Sequence, residues 1–189
     1  MKKIDNKKFY KKAYERYGTS SKGVHWGSKS RQYLRFEVLT NFIKKNVNNS
    51  TIIDVGCGFG DYLNYLNENQ IKIKSYLGID CEGFMINICQ KKYSQYKFER
   101  IDILKDSIPS SDYLICSGAL NILNEVEFFK AIENCFKASK KGFAFNFLTK
   151  DSFNEISIKK IIDFCQKLTP NIQIEDNYLE NDCSIILIK

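Results

Sequence analysis

The sequence predicts an α/β fold: a doubly wound sheet of seven mostly parallel strands, with helices on both faces and a helical arm at the N-terminal end. Three observations support this prediction. Seven short apolar runs recur along the chain, most of the stretches between them carry helical periodicity, and a cluster of glycines follows the first run directly. A chain of 189 residues is also long enough for one such domain with a sizeable core.

The N-terminal part of the chain differs from the rest in composition and pattern. Residues 1–45 are predicted to form a basic arm and a helix that covers the site, and residues 46–189 are predicted to form the sheet domain. Within the arm, residues 1–28 mix charge, glycine and serine and contain one helical piece. Apolar positions then recur at helical spacing through "SKSRQYLRFEVLTNFIKKNV", for which Ser28 or Ser30 is a suitable N-cap.

Strand and helix patterns alternate through the sheet domain. The predicted strands are 51–55, 75–80, 97–102, 112–117, 142–148, 171–176 and 183–189. The predicted helices are 61–69, 83–94, 124–139 and 154–168, whereas the gap at 103–111 reads as a loop. Only "NYLEND" separates the last two strands, which suits a hairpin, so the sheet is predicted to close with one antiparallel strand.

Charge is unevenly distributed along the chain. Residues 1–50 contain 13 lysines and arginines against 3 acidic residues, a net charge of +10, and the remainder carries −3. A basic arm on a slightly acidic body suits nucleic acid, anionic lipid or an acidic small molecule, or simply keeps a solvated segment soluble.

The cysteines and the apolar runs indicate a cytoplasmic protein. The seven cysteines lie at positions 57, 81, 89, 116, 135, 165 and 183, mostly inside apolar runs and without the close spacing of zinc-ligand pairs. We therefore expect reduced, packed thiols and no metal site. No run reaches the length of a membrane span, and the lysine-rich start lacks the apolar stretch of a secretory signal, so no membrane partner is expected.

The glycine cluster in "IIDVGCGFGDYL" predicts a nucleotide-like ligand without phosphates. Gly56, Gly58 and Gly60 have the spacing G-x-G-x-G, and Asp61 occupies the position where a dinucleotide fingerprint requires its third glycine. A carboxylate there suits the helix dipole but repels a pyrophosphate. No Gly-Lys-Ser/Thr follows, which excludes a phosphate-binding P-loop as well.

Polar residues follow the next strands at their carboxyl ends, where open α/β sheets bind ligands. S-adenosylmethionine (SAM) suits this pattern because it combines adenosine, a sulfonium and an amino-acid tail. We expect Asp54 to face the ammonium, Asp80 to accept hydrogen bonds from the ribose hydroxyls, and Asp102 to reach the adenine amino group while Ile103 packs on the ring. Ser117 to Ala119 are expected beneath the sulfonium.

These motifs resemble those of the class I SAM-dependent methyltransferases. "IIDVGCGFG" is similar to their first motif, "LGID" to the second, "RIDI" to the third and "DYLICSGALN" to the fourth, so that the resemblance spans about residues 50–189. It implies the strand order 3-2-1-4-5-7-6. "GVHWGSKSRQYLRFEVL" and "SGALN" are also similar to a set of small bacterial methyltransferases. The residues expected to contact the cofactor are Asp54, Gly56, Cys57, Gly58, Gly60, Asp80, Cys81, Asp102, Ile103, Ser117 and Gly118.

The arm supplies the candidates for catalysis and substrate binding. His25 is the only histidine and a candidate general base, because imidazole titrates near neutral pH; it also suits a surface or capping role. Trp26, Tyr14 and Tyr17 are predicted to bind substrate, with Tyr10, Tyr14 and Tyr17 forming a lid or simply packing.

The helix before the first strand covers the cofactor in related enzymes, and Gln32 and Arg35 lie on it here. The resemblance implies that Arg35 pairs with the carboxylate of the cofactor, although an ordinary surface arginine would fit the sequence equally well.

The implied reaction is in-line displacement of the sulfonium methyl by a nucleophile of a small-molecule acceptor, with an anionic acceptor suggested by the basic arm. The fourth strand runs into "SGAL", so the Asn/Asp-Pro-Pro-Tyr/Phe and Pro-Cys signatures of base-methylating enzymes are missing. An RNA-modifying enzyme that holds phosphates with its arm remains an alternative, as does a non-catalytic cofactor-binding module. The protein is expected to be a monomer or a homodimer.

Overall fold

A computed structural model describes residues 5–150 and 156–189 of the chain. Its centre is a seven-stranded sheet in the order β3-β2-β1-β4-β5-β7-β6, as predicted. The strands are β1 (Thr51–Val55), β2 (Ser75–Asp80), β3 (Lys97–Arg100), β4 (Ser111–Ser117), β5 (Ser139–Leu148), β6 (Ile172–Glu175) and β7 (Asp182–Ile188). Strand β7 runs antiparallel to both of its neighbours and the other pairings are parallel, which confirms the predicted closing hairpin.

Six α-helices surround the sheet in the described residues. They are α1 (Asn6–Tyr17), α2 (Lys29–Ile43), α3 (Asp61–Glu68), α4 (Gly83–Lys92), α5 (Glu125–Ala138) and α6 (Ile158–Leu168). Ser28 caps α2 by accepting the N–H of Arg31, as one of the two predicted caps. The predicted helix 154–168 begins later, at Ile158, behind its cap Ser157; residues 151–155 lie outside the described part.

Each face of the sheet has its own apolar core. Helices α5 and α6 bury residues such as Phe128 and Cys165 against one face, and α2, α3 and α4 bury residues such as Leu39, Leu63 and Cys89 against the other. A sheet covered on both faces requires strands that are apolar almost throughout, which explains why their runs stand out in the sequence. None of the seven cysteines, all of which lie in the described residues, forms a disulfide.

Two strand boundaries differ from the prediction by two residues or more, for local reasons. Strand β3 ends at Arg100 rather than at 102, because the backbone then turns and the N–H of Asp102 bonds to the side chain of Asp106 at 2.8 Å. Strand β5 begins at Ser139 rather than at 142, because Ser139 ends α5 and pairs at once with Ser111.

The arm folds against the sheet domain. Helix α1 is followed by a 3₁₀ turn at Ser21–Val24, which leads through Trp26 into α2. The inner face of α1 presents Phe9, Tyr10, Ala13 and Tyr14, while its lysines lie on the exposed face. An amphipathic helix of this kind is placed by its apolar face, so α1 becomes a cover for what lies beneath it.

Candidate active site

A cavity of about 620 Å³ lies at the carboxyl ends of β1 to β4, where the sequence predicted a ligand. The arm contributes to its lining through Tyr10, Val24 and Trp26, and α2 contributes Gln32 and Phe36. The sheet side of the lining consists of Asp54, Val55, Gly56, Cys57, Gly58, Asp61, Tyr62, Asp80, Cys81, Met85, Ile101, Asp102 and Ile103. The remaining walls are Leu104, Lys105, Ser117, Gly118, Ala119, Ile122, Leu123, Asn124, Val126, Glu127 and Lys130.

The glycine loop keeps its backbone close to neighbouring segments. Gly56 has φ +68°, and a Cβ at this position would overlap the Cβ of Ala119 in the loop after β4. Gly58 has φ +54° and donates its N–H to Asp80 Oδ2 at 3.0 Å. Both positions therefore require glycine, one for close approach and both for a left-handed backbone.

Gly60 differs from its prediction as a cofactor contact. It is absent from the cavity lining among the described residues, and a Cβ there would meet the ring of Tyr93 at 2.7 Å. The residue instead allows α3 to start against α4, so its role is in packing.

Two carboxyl groups at adjacent strand ends lie in the lining. Asp54 is buried and accepts a hydrogen bond from the Tyr76 hydroxyl at 2.6 Å. Burial raises its pKa to about 7, assisted by the negative charge of Asp80 and opposed by the hydrogen bond from Tyr76. Asp80 accepts the N–H groups of Gly58 and Glu82, and burial raises its pKa as well.

The residues at the ends of β3 and β4 also line the cavity. Asp102 and Ile103 line the cavity, and Asp102 forms an ion pair with Lys105 at 2.5 Å. Ser117 is the last residue of β4; its Oγ is buried and has no hydrogen-bond partner among the described residues. A buried hydroxyl without a partner costs free energy, so it suits a position that a ligand completes.

Trp26 closes the cavity at the end of β4. Gly118 has φ +79°, and a Cβ there would overlap the Trp26 ring, which therefore lies directly on the Gly118 backbone. The structure thus brings Trp26 into the cavity, as the prediction for this residue requires.

The predicted tyrosines do not all reach the cavity. Tyr10 lines it, and burial together with the negative charge of Asp80 raises the pKa of its hydroxyl. Tyr14 instead packs on Phe59 and Phe84, and Tyr17 is 41% exposed beside Arg16. Tyr14 and Tyr17 are therefore absent from the described cavity lining, and their contact with a substrate stays a prediction.

His25 is absent from the cavity lining of the described residues and takes the surface and capping position that the sequence also allows. The residue is exposed, ends the 3₁₀ turn with φ 63°, and stacks on Phe9 with ring centroids 3.8 Å apart. Its Nε2 lies 3.4 Å from the Phe9 carbonyl oxygen. These contacts make His25 a capping and packing residue that joins the turn to α1.

Arg35 also differs from its predicted pairing with the cofactor. It is 3% exposed, and its Nε and Nη2 donate to the two carboxylate oxygens of Asp182, both at 2.6 Å. Its guanidinium carbon lies 3.9 Å from the centroid of the Trp26 ring. A forked ion pair of this kind leaves little of the arginine for a ligand.

Several lining residues carry no signal that the sequence pattern could reveal. Tyr10 shares a helix face with Tyr14, which indicates burial but not which ring enters the cavity. Gln32 reaches the site by donating to Asp61 Oδ2 at 3.1 Å, a contact that joins α2 to α3. The walls at Ile122, Val126 and Lys130 come from the loop and helix after β4, where no motif marks them.

The residues present fit SAM. Carboxylates outnumber lysines in the lining by five to two, which favours a ligand that carries positive charge. The glycine loop admits a flat group, and Ser117 offers an unpartnered hydroxyl. No group of three or more His, Cys, Asp or Glu side chains in the described residues is arranged to hold a metal ion. No described helix is both long enough and apolar enough to cross a bilayer.

The order of the sheet and its covering helices form the Rossmann-like fold of the class I SAM-dependent methyltransferases. Residues 52–142 match the family model described as a methyltransferase domain. This match and the fold together support a SAM-dependent methyltransferase.

Relatives agree with this assignment. Protein 235L of Invertebrate iridescent virus 6 is 33% identical over 95 residues, covering 49% of this chain and 36% of that protein. The TehB-like SAM-dependent methyltransferase of Corynebacterium glutamicum has a similar fold, with a TM-score of 0.69, 15% identity and coverage of 96% and 98% of the two chains. Magnesium protoporphyrin IX methyltransferase of Synechocystis, solved with bound SAM, gives a TM-score of 0.68 at 15% identity, with coverage of 84% and 79%. The chain spans less than half the length of the curated relatives it matches.

Proposed function

We propose that this chain transfers the methyl group of SAM to a small-molecule acceptor by in-line displacement. The observation that carries the proposal is the row of Asp54, Asp80 and Asp102 at three adjacent strand ends around the glycine loop, all lining one cavity. When bound, SAM supplies a methyl group that is already activated by its sulfonium. The protein then mainly aligns the two reactants and excludes water.

Different residues of the lining contact different parts of the cofactor. Asp80 accepts the ribose hydroxyls while it keeps the N–H of Gly58, and Asp54 faces the ammonium group. Asp102 and Ile103 hold the adenine. Ser117 and Gly118 lie under the sulfonium, and the hydroxyl of Ser117, which has no partner among the described residues, supports a polar ligand there.

A small acceptor is favoured by the cover over the cavity. Tyr10, Val24 and Trp26 of the arm lie over the strand ends and cover part of the cavity. The fold relative from Synechocystis is named for a small-molecule substrate, in agreement with this reading. The lysines of the described lining are Lys105, which is paired with Asp102, and Lys130 within α5.

The outer face of α1 favours RNA as a second candidate. Lys7, Lys8, Lys11, Lys12 and Arg16 are all exposed on this helix, directly outside the cavity cover. Within the helix, Glu15 is the acidic residue that shares this exposure. A basic strip of this kind attracts phosphates independently of base sequence.

An assay of labelled methyl transfer distinguishes a small-molecule acceptor from RNA. The protein is incubated with radiolabelled SAM and fractionated cell extract, with and without nuclease. The proposal predicts label in the low-molecular-weight fraction that survives nuclease. Label that appears in a polymer and disappears with nuclease would establish the RNA reading, and binding of S-adenosylhomocysteine (SAH) without transfer in any fraction would indicate a non-catalytic module.

The buried Asp54 predicts a pH-dependent affinity for SAH. Its pKa of about 7 means that the carboxyl is largely protonated below neutral pH, whereas the ammonium of the ligand favours the ionised form. Binding must therefore release a proton, and affinity is expected to rise with pH up to about 7, by at most about tenfold per pH unit, and then level off. Calorimetry in buffers of different ionisation enthalpy measures the released proton.

Two variants test whether Asp54 is the group that releases the proton on SAH binding. Asp54→Asn is expected to remove the rise in affinity, because the side chain no longer titrates. Tyr76→Phe removes a hydrogen bond that lowers the pKa and is expected to move the rise to higher pH. An unchanged slope in Asp54→Asn would assign the proton to another group, and Asp80 is the first candidate because burial raises its pKa as well.

A further inference from the structure

The Trp26 indole contacts a buried ion pair as well as the backbone at the end of β4. One neighbour is the Gly118 backbone at the end of β4. Another is the guanidinium of Arg35, whose carbon lies 3.9 Å from the ring centroid. A guanidinium at this distance from an indole is attracted by the ring and limits its movement.

Arg35 can support the indole because its own position is fixed. Both oxygens of Asp182 accept from it at 2.6 Å, and the carboxylate also accepts from Asn146 Nδ2 at 3.1 Å. A third donor of Arg35, Nη1, bonds to the Arg31 carbonyl at 3.2 Å. Acceptors on β7 and on α2 itself thus orient the plane of the guanidinium.

We propose that Arg35 and Asp182 are positioning residues that hold the Trp26 indole as the wall beside the end of β4, where the acceptor must approach. This inference rests on the proposed function, since it places the methyl group above Ser117 and Gly118. Trp26 and Ser117 line the same cavity. The acceptor reaches the methyl group past the rigid ring of Trp26. The indole therefore restricts which acceptor molecules can enter, according to their shape.

The charges of this arrangement also bear on the acceptor. Asp182 neutralises Arg35 in a buried position, so the support behind Trp26 presents no net charge to the cavity. An indole over a neutral support suits an uncharged, planar acceptor at this wall. It does not attract the anionic acceptor that the basic arm suggested.

The test uses Trp26 as its own reporter, because the chain contains a single tryptophan. Fluorescence anisotropy decay and the indole N–H resonance are measured on the full chain without ligand. In the double variant Arg35→Met/Asp182→Asn, which leaves no unpaired buried charge, the indole is expected to gain fast motion and its resonance to shift. Its affinity for SAH is expected to fall about tenfold, because binding must then order the indole.

The controls separate positioning from general destabilisation. Arg35→Lys keeps the positive charge but lacks the planar fork, so it too is expected to free the indole; this variant decides the question if the double variant does not fold. Ser50→Ala removes a buried hydrogen bond of 2.7 Å at the other end of the sheet and is expected to leave the indole signals unchanged. Lys29→Met removes an exposed pair between α2 and Glu68 and is also expected to leave them unchanged.

The outcomes are distinct from those of the proposed function. An indole that stays as immobile in folded Arg35→Lys and the double variant as in the natural chain would overturn the inference. Failure of the natural chain to bind SAH would overturn the proposed function, and the ligand-free indole measurement would still decide whether Arg35 positions Trp26.

Discussion

Asp80→Asn is expected to weaken SAH binding on the order of 100-fold, because the ribose loses a charged acceptor and the loop loses one of its anchors. The carboxylate accepts the N–H of Gly58 at 3.0 Å and that of Glu82 at 2.9 Å, and an amide has only one oxygen for both. The ligand-free fold should persist, since burial already raises the pKa of Asp80 and disfavours its charged form. Isothermal calorimetry gives the affinity, and thermal unfolding gives the stability.

Asp112→Asn is the matched control for Asp80→Asn. Asp112 accepts a backbone N–H from Thr51 at 3.0 Å, but it lies at the amino end of β4, away from the cavity. Its substitution should leave the affinity for SAH unchanged. Equal affinities in natural protein and Asp80→Asn would mean that the ribose contact is wrongly assigned.

Gly56→Ala is expected to lower the free energy of unfolding by about 2–5 kcal/mol and to abolish SAH binding. The left-handed backbone, with φ +68°, costs about 1–2 kcal/mol for alanine, and the overlap with Ala119 adds roughly 1–3 kcal/mol. Chemical denaturation followed by circular dichroism measures the change in stability.

Two further variants separate the backbone contribution to this loss of stability from the contribution of the overlap with Ala119. Gly56→Ala/Ala119→Gly removes the overlapping methyl group and should recover that part of the stability, while the backbone cost remains. Gly27→Ala adds a methyl group where nothing lies within 4 Å and should change neither stability nor binding. A stable Gly56→Ala variant with normal affinity would show that the loop has room to move away from Ala119.

The sheet and its cofactor end could be predicted from the sequence because their signals are local. Each strand is an apolar run, and the polar residue that follows it falls at one edge of the sheet by geometry alone. Asp54, Asp80, Asp102 and Ser117 therefore line a common cavity, as the pattern indicates. The end of β3 shifted because a side chain competed for the backbone there, as Asp106 does at Asp102.

The arm could not be predicted to the same extent, because its contacts join residues far apart in sequence. His25 is the only histidine, yet its ring stacks on Phe9 rather than facing the cavity. Arg35 has the position expected of a cofactor contact, but its partner Asp182 lies 147 residues further along the chain. Nothing in the local pattern distinguishes an arginine that meets a ligand from one that meets a distant strand.

The bond between Arg35 and Asp182 also limits how the arm can be exchanged. Replacing the arm together with α2 by those of another methyltransferase, in order to change specificity, would leave the buried carboxylate of Asp182 without its counter-charge, and losing one partner of a buried pair is strongly destabilising. A functional chimaera therefore needs α2 and β7 from the same parent. The buried pair thus joins two segments that lie 147 residues apart in sequence into one unit of exchange.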